Sequence, residues 1–182
     1  MDESLQGKLL IAAPTLIDPH FARAVVLVAS HSEEGALGLV LNRPLQTPLA
    51  DLAPTLERVL EPGALLHEGG PVAPESAILL AEFSDTSLAA LLIFGEVGLP
   101  SARCELSEIE AGVRRARVFA GHAGWGPGQL DAELEQEAWF VGQLAPDELW
   151  QPDSTLLWST ALARMGGPYA LISRMPADPS MN

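Results

Sequence analysis

The first quarter of the chain alternates short apolar blocks with turn residues, and this pattern predicts strands. Residues 8–13 form the first predicted strand, and residues 24–29 form a second, whose continuous apolar run indicates burial on both faces. The segment 32–35 has the composition of a hairpin turn, so residues 36–41 are predicted to pair with the second strand. Pro44 then ends that strand, because proline has no N–H to donate to a ladder.

Further strands are predicted in shorter blocks that glycine and proline separate. Residues 65–67 and 77–81 are predicted strands, with a turn at Gly69-Gly70-Pro71 between them. Residues 117–120 are also a predicted strand. The pattern over residues 88–94 predicts a helix that passes into a strand.

Two short helices are predicted from their N-terminal residues. Thr47 is the expected N-cap of the first helix, with Leu49 and Leu52 on its inner face. Ser107 and Glu110 have the spacing of a capping box, in which each side chain accepts a backbone N–H at the start of a helix.

Two longer helices are predicted near the end of the chain. Residues 129–138 place an apolar side chain at every fourth position, which forms one buried stripe: Leu130, Leu134 and Ala138. Ser154 is expected to cap a helix that extends to Met165, where Gly166 stops it. Strands and helices are mixed and one hairpin is antiparallel, so the sequence predicts an α+β fold in a single domain over residues 1–182.

The charge balance disfavours several partners. The chain has 182 residues, of which 48% are hydrophobic, and its formal net charge is −14. Such a charge repels nucleic acids and anionic membranes. The densest basic cluster comprises Arg114, Arg115 and Arg117, and we interpret the first two as the C-terminal end of the helix that begins near Ser107.

A cytoplasmic location is expected from three features. Cys104 is the sole cysteine, which is typical of a reducing compartment and precludes an internal disulfide. The first residues are acidic and lack the pattern of a signal peptide. The longest apolar runs, residues 24–29 and 88–94, are too short to cross a bilayer.

The segment 121–130 is unusually rich in glycine, with four glycines among its first eight residues. It lies between a predicted strand and a predicted helix, so Gly128 at the helix N-terminus is a candidate anion-binding position. The spacing matches neither the dinucleotide fingerprint nor a P-loop, and Trp125 and Pro127 are bulky where a phosphate would approach. We therefore favour an architectural turn in which Trp125 is a packed anchor.

No cofactor or metal site is predicted. The four histidines are His20, His31, His67 and His122, and their spacing fits no metal motif. His31 and His122 lie at predicted strand ends, where their side chains could converge, although a structural role is the favoured interpretation.

Two arginines are candidate ligand-binding residues. Arg43, next to Asn42, could hold a carboxylate or phosphate through a bidentate guanidinium. Arg23 has a simpler alternative, which is pairing with Asp18 or another nearby acid.

Four motif segments together resemble the bacterial AlgH (YqgE) family, in order and over nearly the whole chain. They are Gly7-Lys8-Leu9-Leu10-Ile11-Ala12 with Pro14, Asp18-Pro19, Phe21, Arg23 and Val25-Val26; His31, Gly35 and Gly38-Leu39-Val40-Leu41-Asn42-Arg43-Pro44; Gly69-Gly70-Pro71-Val72; and Ala123-Gly124-Trp125-Gly126-Pro127-Gly128-Gln129-Leu130 with Glu133. The segments 94–98 and 176–180 resemble the actinobacterial branch of that family.

The resemblance implies a single α+β domain with a bifurcated sheet and a small barrel-like part surrounded by helices. It implies no particular activity, and the family takes its name from a link to the regulation of alginate production in pseudomonads. The chain departs from the common pattern at His122, where an aromatic residue, commonly tyrosine, is usual, and over residues 79–103.

Our leading hypothesis is a non-enzymatic regulatory protein that binds an unidentified small molecule or protein partner. It predicts that the following residues lie together on one rim of the domain: Arg23, His31, Asn42, Arg43, Gly69, Gly70 and Trp125.

The alternative is an enzyme for a small phosphorylated or nucleotide-like substrate, with His31 or His122 as the acid–base group and Arg43 or the helix N-terminus near Gly128 holding the anion. A third, less favoured hypothesis is a transcriptional regulator that binds DNA directly. The sequence specifies no oligomeric state.

Overall fold

The computed structural model describes residues 4–177, in which ten strands form one curled sheet. The strands are β1 (Lys8–Ala12), β2 (Val25–Ser32), β3 (Gly35–Val40), β4 (Pro44–Pro48), β5 (Leu65–Glu68), β6 (Val72–Phe83), β7 (Ala89–Phe94), β8 (Val97–Pro100), β9 (Val113–Trp125) and β10 (Trp139–Gln143). The path through the sheet is β10-β1-β2-β3-β9-β6-β8-β7, and β4 and β5 branch from it where β5 pairs with β9.

Short helices cover the sheet within the described part of the chain. They are α1 (Leu49–Leu52), α2 (Leu106–Gly112), α3 (Gln129–Glu135), α4 (Pro146–Leu149), α5 (Leu157–Met165) and α6 (Gly167–Ile172). The α+β class is therefore correct, and the fold is richer in strands than in helices. None of the helices within residues 4–177 combines the length and apolar character needed to span a membrane.

Strand β2 is buried on both faces, as its continuous apolar run predicts. Val25 and Leu27 belong to one core cluster, in which Trp158 and Leu162 of α5 pack against the sheet. Val26 and Val28 point the other way, into a second cluster with Trp125, Trp139 and Leu130 of α3. The predicted hairpin is present, since β2 and β3 pair in antiparallel register from Val26–Val40 to Ser32–Gly35.

The long strand β9 connects the two halves of the sheet. Its C-terminal end pairs with β3, most of its length pairs with β6, and Phe119 and Ala120 pair in parallel with β5. The first part of the glycine-rich segment, up to Trp125, belongs to this strand, so the predicted strand-to-helix turn is reduced to Gly126–Gly128.

Close approach of two backbones explains why glycine is needed near this crossing. A Cβ added to Gly70 would lie 2.2 Å from the carbonyl carbon of His122, and the φ of Gly70 is +149°. No other residue type fits such a contact without movement of the backbone.

Two local predictions about the ends of α2 are wrong. Arg114 and Arg115 lie in β9 and not at the end of a helix, because α2 ends at Gly112. The capping box of α2 is formed by Glu105 and Glu108, whose side chain accepts the Glu105 N–H at 2.7 Å, and not by Ser107 and Glu110.

Other local predictions also need correction. Residues 89–94 are strand β7, preceded by a single 3-10 turn at Thr86–Leu88. In the predicted helix that passes into a strand over 88–94, the helical part is therefore wrong and the strand part is correct. In α1 the N-cap is Pro48, and Leu52 is 57% exposed although Leu49 is buried, because the helix is only one turn long. Strands β4, β8 and β10 and helices α4 and α6 were not predicted.

Candidate functional site

The residues predicted on one rim are divided between two ends of the β2–β3 hairpin. Arg23, Asn42 and Arg43 flank the start of β2 and the end of β3. His31 lies at the opposite end of β2, where it pairs with Ala36, which in turn pairs with Trp125. Because β2 has eight residues, about 25 Å of strand separates the two groups.

Arg23 and Asn42 are engaged with the protein itself. The Asn42 side chain donates to the carbonyl of Arg23 at 2.9 Å and accepts from the N–H of Val25 at 2.9 Å. The Arg23 guanidinium stacks 4.2 Å above the ring of Trp158 and donates to the carbonyls of Met175 and Pro176. These contacts join the start of β2 to the end of β3 and to the C-terminal segment.

Arg43 has a similar internal role. Its two terminal nitrogens donate to the carbonyls of Pro19 and Ala22, each at 2.9 Å. The guanidinium thereby stabilises the loop before β2, and these bonds give the side chain a structural role.

Gly69, Gly70 and His122 lie together where β9 crosses the segment between β5 and β6. The N–H of Gly69 donates to Ala120 at 2.8 Å, and its carbonyl accepts from Val40 at 2.9 Å. His122 is paired with Val72 in the sheet register. The two glycines therefore permit a close packing of strands.

Trp125 is buried and anchors α3 to the sheet. Its indole N–H donates to Glu133 at 2.9 Å, and the indole of Trp139 donates to the same carboxylate oxygen at 2.8 Å. The ring of Phe21 stacks at 6.3 Å from Trp125. At the start of α3, Gly128 adopts the left-handed conformation with φ +70°.

The other end of the hairpin holds His31 beneath α3. Its Nδ1 atom accepts from the N–H of Leu5 at 3.2 Å, and its Nε2 atom lies 3.8 Å from a carboxylate oxygen of Asp131. These contacts tie the N-terminal segment and α3 to β2.

A cavity that the sequence did not predict lies beside the branch of the sheet. It has a volume of about 130 Å³, and three polar side chains line it: Glu61, His67 and Arg117. Its apolar walls include Pro44, Leu49, Leu65, Trp150 and Pro152. Mostly apolar concave sites with a few polar groups are typical of small-ligand binding.

Arg117 is the exceptional residue of this cavity. It is 8% exposed, and one terminal nitrogen donates to the carbonyl of Gln151 at 2.6 Å. The other terminal nitrogen, Nη1, is buried and has no hydrogen-bond partner within residues 4–177. Burial lowers the pKa of Arg117 to about 10, against the opposing influence of Glu61, so the guanidinium stays charged at neutral pH.

His67 forms part of the cavity wall and is satisfied within the protein. Nδ1 lies 3.1 Å from the carbonyl of Leu65, and Nε2 lies 3.1 Å from the hydroxyl of Ser154. Burial, helped by the charge of Arg117, lowers the pKa of His67 to about 4, so the imidazole is neutral at pH 7. Ser154 is 1% exposed and does not line the cavity, and it binds His67 instead of capping a helix as predicted.

A second cavity of about 260 Å³ adjoins the first. Both are lined by Leu49 and by residues 61–64, and the second also contacts Glu57. Within residues 4–177, no group of three or more His, Cys, Asp and Glu side chains is arranged to hold a metal ion.

The Arg117 cavity was not predicted because Arg117 was interpreted together with Arg114 and Arg115 as one basic cluster. A signal was nevertheless present, since Arg117 is charged and lies between Ala116 and Val118 in a segment predicted to be a strand. A charged side chain in an apolar strand needs a partner or a function, because arginine is seldom fully buried unpaired.

Comparisons with known proteins give consistent results over nearly the whole chain. A profile of the family described as AlgH-like matches residues 9–170. A UPF0301 protein of Streptomyces coelicolor is 40% identical, with coverage of 98% of this chain and 96% of that protein. A UPF0301 protein of Chlorobaculum tepidum is 33% identical over 97% of this chain and 95% of that protein.

Two solved structures are also similar. A crystal structure of a protein from Corynebacterium diphtheriae has a TM-score of 0.85 and 28% identity, covering 96% of this chain and 94% of that one. The solution structure of the AlgH protein from Pseudomonas aeruginosa has a TM-score of 0.67 and 32% identity, covering 97% of this chain and 98% of that one.

Proposed function

The chain belongs to the AlgH-like family, and we propose that it is a non-enzymatic regulatory protein that binds a small anionic group in the Arg117 cavity. One observation carries this proposal: the Nη1 atom of Arg117 is buried, charged and without an acceptor within residues 4–177. A buried donor without a partner costs about 1–3 kcal/mol, and more when the group is charged. Arg117 lines the cavity, so a ligand oxygen that reaches its guanidinium supplies the missing acceptor.

The size of the cavity limits the ligand. At about 130 Å³ the space is smaller than the roughly 300–1,000 Å³ that drug-sized ligands occupy, so a metabolite of a few heavy atoms fits best. Carboxylate and phosphate oxygens are the acceptors that an arginine holds most strongly.

The non-enzymatic part of the proposal is supported by the chemistry of the cavity wall. His67 is neutral and bound at both ring nitrogens, and the Ser154 hydroxyl beside it lies outside the cavity. His31 and Arg43 are the acid–base and anion-binding candidates of the enzyme hypothesis. Each binds another part of the chain, and they lie at opposite ends of the β2–β3 hairpin.

Partners and location follow from charge and from the cysteine. The net charge of −14 opposes a direct DNA-binding role, since the protein repels phosphates on average. The free thiol of Cys104 is half-buried, which fits our proposal of a reducing, cytoplasmic location.

The proposal is tested by a thermal-shift and calorimetric screen of small carboxylates and inorganic phosphate. Binding to the folded state raises the melting temperature by mass action. The shift is expected in the wild type and in Arg43→Ala, which removes an arginine outside the cavity, and is expected to vanish in Arg117→Met. A ligand that binds Arg117→Met as tightly as the wild type contradicts the proposed site.

A further inference from the structure

The two adjoining cavities differ in the charges that line them. The first contains one cation, Arg117, and one carboxylate, Glu61. The second has two carboxylates, Glu57 and Glu61, and no lysine or arginine among its lining residues. Glu61 therefore stands between a site for an anion and a site for a cation.

The depth of the two charged groups also differs. Arg117 is 8% exposed, whereas Glu61 is exposed to solvent and lines both cavities. Glu61 is near enough to raise the pKa of Arg117 against the effect of burial. His67 adds no positive charge at pH 7, because its pKa is about 4.

This charge arrangement selects against multiply charged anions. A phosphate monoester has about two negative charges at neutral pH, whereas the first cavity offers a single cation beside a carboxylate. The negative field of the whole protein adds to the repulsion. A ligand without net charge is the electrostatic match.

We propose that the ligand is a small zwitterion whose carboxylate binds the guanidinium of Arg117 and whose ammonium group faces Glu61. This inference rests on the proposed function and names the ligand class for the same cavity. The hydrocarbon part of the ligand packs on Leu49, Leu65 and Trp150, which line the first cavity. Leu49 also lines the second cavity, so a longer ligand extends there towards Glu57.

The test uses four probes with the same carbon count in calorimetric titrations at low salt and pH 7. These probes are 2-aminobutanoate, 4-aminobutanoate, butanoate and butylamine. At least one of the two zwitterions is expected to bind more tightly than butanoate, and butylamine is expected to bind weakly. Glu61→Gln is expected to weaken the binding of that zwitterion by about fivefold, which is the scale of an exposed ion pair. The binding of butanoate is expected to be unchanged or tighter in this variant.

Matched variants separate this inference from the proposed function. Glu135→Gln removes an exposed carboxylate of α3 that lines neither cavity, and it should change no affinity. If butanoate binds as tightly as the zwitterions and needs Arg117 but not Glu61, the anion site stands and the zwitterion inference is overturned. If no probe binds, the zwitterion inference is overturned, and the screen of small carboxylates and phosphate decides the proposed function separately. If the probes bind and Arg117→Met leaves every affinity unchanged, both are overturned.

Discussion

The imidazole Nε2 atom of His67 lies 3.1 Å from the hydroxyl of Ser154, although 87 positions separate the two residues along the chain. This contact joins β5 to the segment before α5, beside the cavity that contains Arg117. Both residues are buried, and their hydrogen bond fixes the orientation of the His67 ring that lines the cavity.

The low pKa of His67 predicts an acid-sensitive contribution to stability. In the unfolded chain His67 takes up a proton near its ordinary pKa of 6.5, whereas in the folded protein it does so only near pH 4. Its contribution is therefore fully present above pH 6.5 and is lost as the pH falls towards 4. The shift corresponds to about 3 kcal/mol in the free energy of unfolding.

Chemical denaturation at a series of pH values measures this effect. His67→Gln is expected to flatten the dependence of the unfolding free energy on pH between 6.5 and 4. His20→Gln changes an exposed histidine and should leave the slope as in the wild type. Equal slopes for wild type and His67→Gln would show that His67 is not buried as a neutral group.

Glu133 is predicted to stabilise the packing of α3 on the sheet. One of its oxygens accepts both indole N–H groups of Trp125 and Trp139, and the other accepts from Gln129 at 2.9 Å. Glu133→Gln keeps one accepting oxygen, which is no longer charged, and replaces the other by an NH2 group that cannot accept. The bonds from the two indoles and from Gln129 therefore cannot all be kept, and we expect a loss of about 1–2 kcal/mol in the free energy of unfolding. Urea denaturation followed by circular dichroism provides the measurement.

The matched control for Glu133 is Glu135→Gln on the same helix, because Glu135 is exposed. Its effect should stay within about 0.5 kcal/mol. Similar values for the two variants would contradict a role for the shared carboxylate.

Both the oxygen and the nitrogen of the Asn42 side-chain amide are predicted to stabilise the fold. Its oxygen accepts the Val25 N–H and its nitrogen donates to the Arg23 carbonyl. Asn42→Ala leaves both backbone groups without partners, so a loss of about 2 kcal/mol is expected. Asn42→Asp keeps the acceptor but loses the donor, and it should also destabilise the protein. Guanidinium denaturation of the two variants, beside the exposed-site variant Gln46→Ala, tests the assignment.

Gly70 is predicted to tolerate no side chain. Its added Cβ would meet backbone atoms of His122 and Ala123 at 2.2–2.3 Å, at a φ that disfavours other residues. Gly70→Ala is therefore expected to cost about 3 kcal/mol or more or to prevent folding, as measured by soluble yield and melting temperature.

Gly124 gives the comparison for Gly70 within the same crossing. A Cβ at Gly124 meets its nearest neighbour at 3.6 Å, which is ordinary contact, so Gly124→Ala should fold with little change. If both alanine variants fold equally well, close packing is not the reason for glycine at position 70.

Local patterns were sufficient for the parts of the fold in which neighbours in sequence make the contacts. The β2–β3 hairpin and the helical positions of Leu130 and Leu134 were predicted because strand alternation, a turn and helical spacing are all visible within a few residues. The predicted helix over 129–138 was too long, since α3 ends at Glu135 and Ala138 packs on the same cluster from beyond it. The AlgH-like family was likewise evident from ordered motifs.

Contacts between residues far apart in sequence could not be predicted from such local patterns. Serine is a common N-cap of helices, but the Ser154 hydroxyl is hydrogen-bonded to His67, and only the folded chain brings these two residues together. Arg117 lies in a predicted strand, yet its unpaired nitrogen depends on the separate positions of Gln151 and Glu61. The rim hypothesis failed for His31 because the length of β2 places its two ends far apart.

Strand β9, which holds Arg117, pairs with β3, β5 and β6 along different parts of its length. Exposure of all its backbone amides therefore requires separation from all three neighbours, which makes this strand part of one cooperative unfolding unit. A ligand on Arg117 adds its binding free energy to that unit as a whole. Slower exchange should consequently spread into β3, about a strand's length from the cavity, and not remain confined to the residues that touch the ligand.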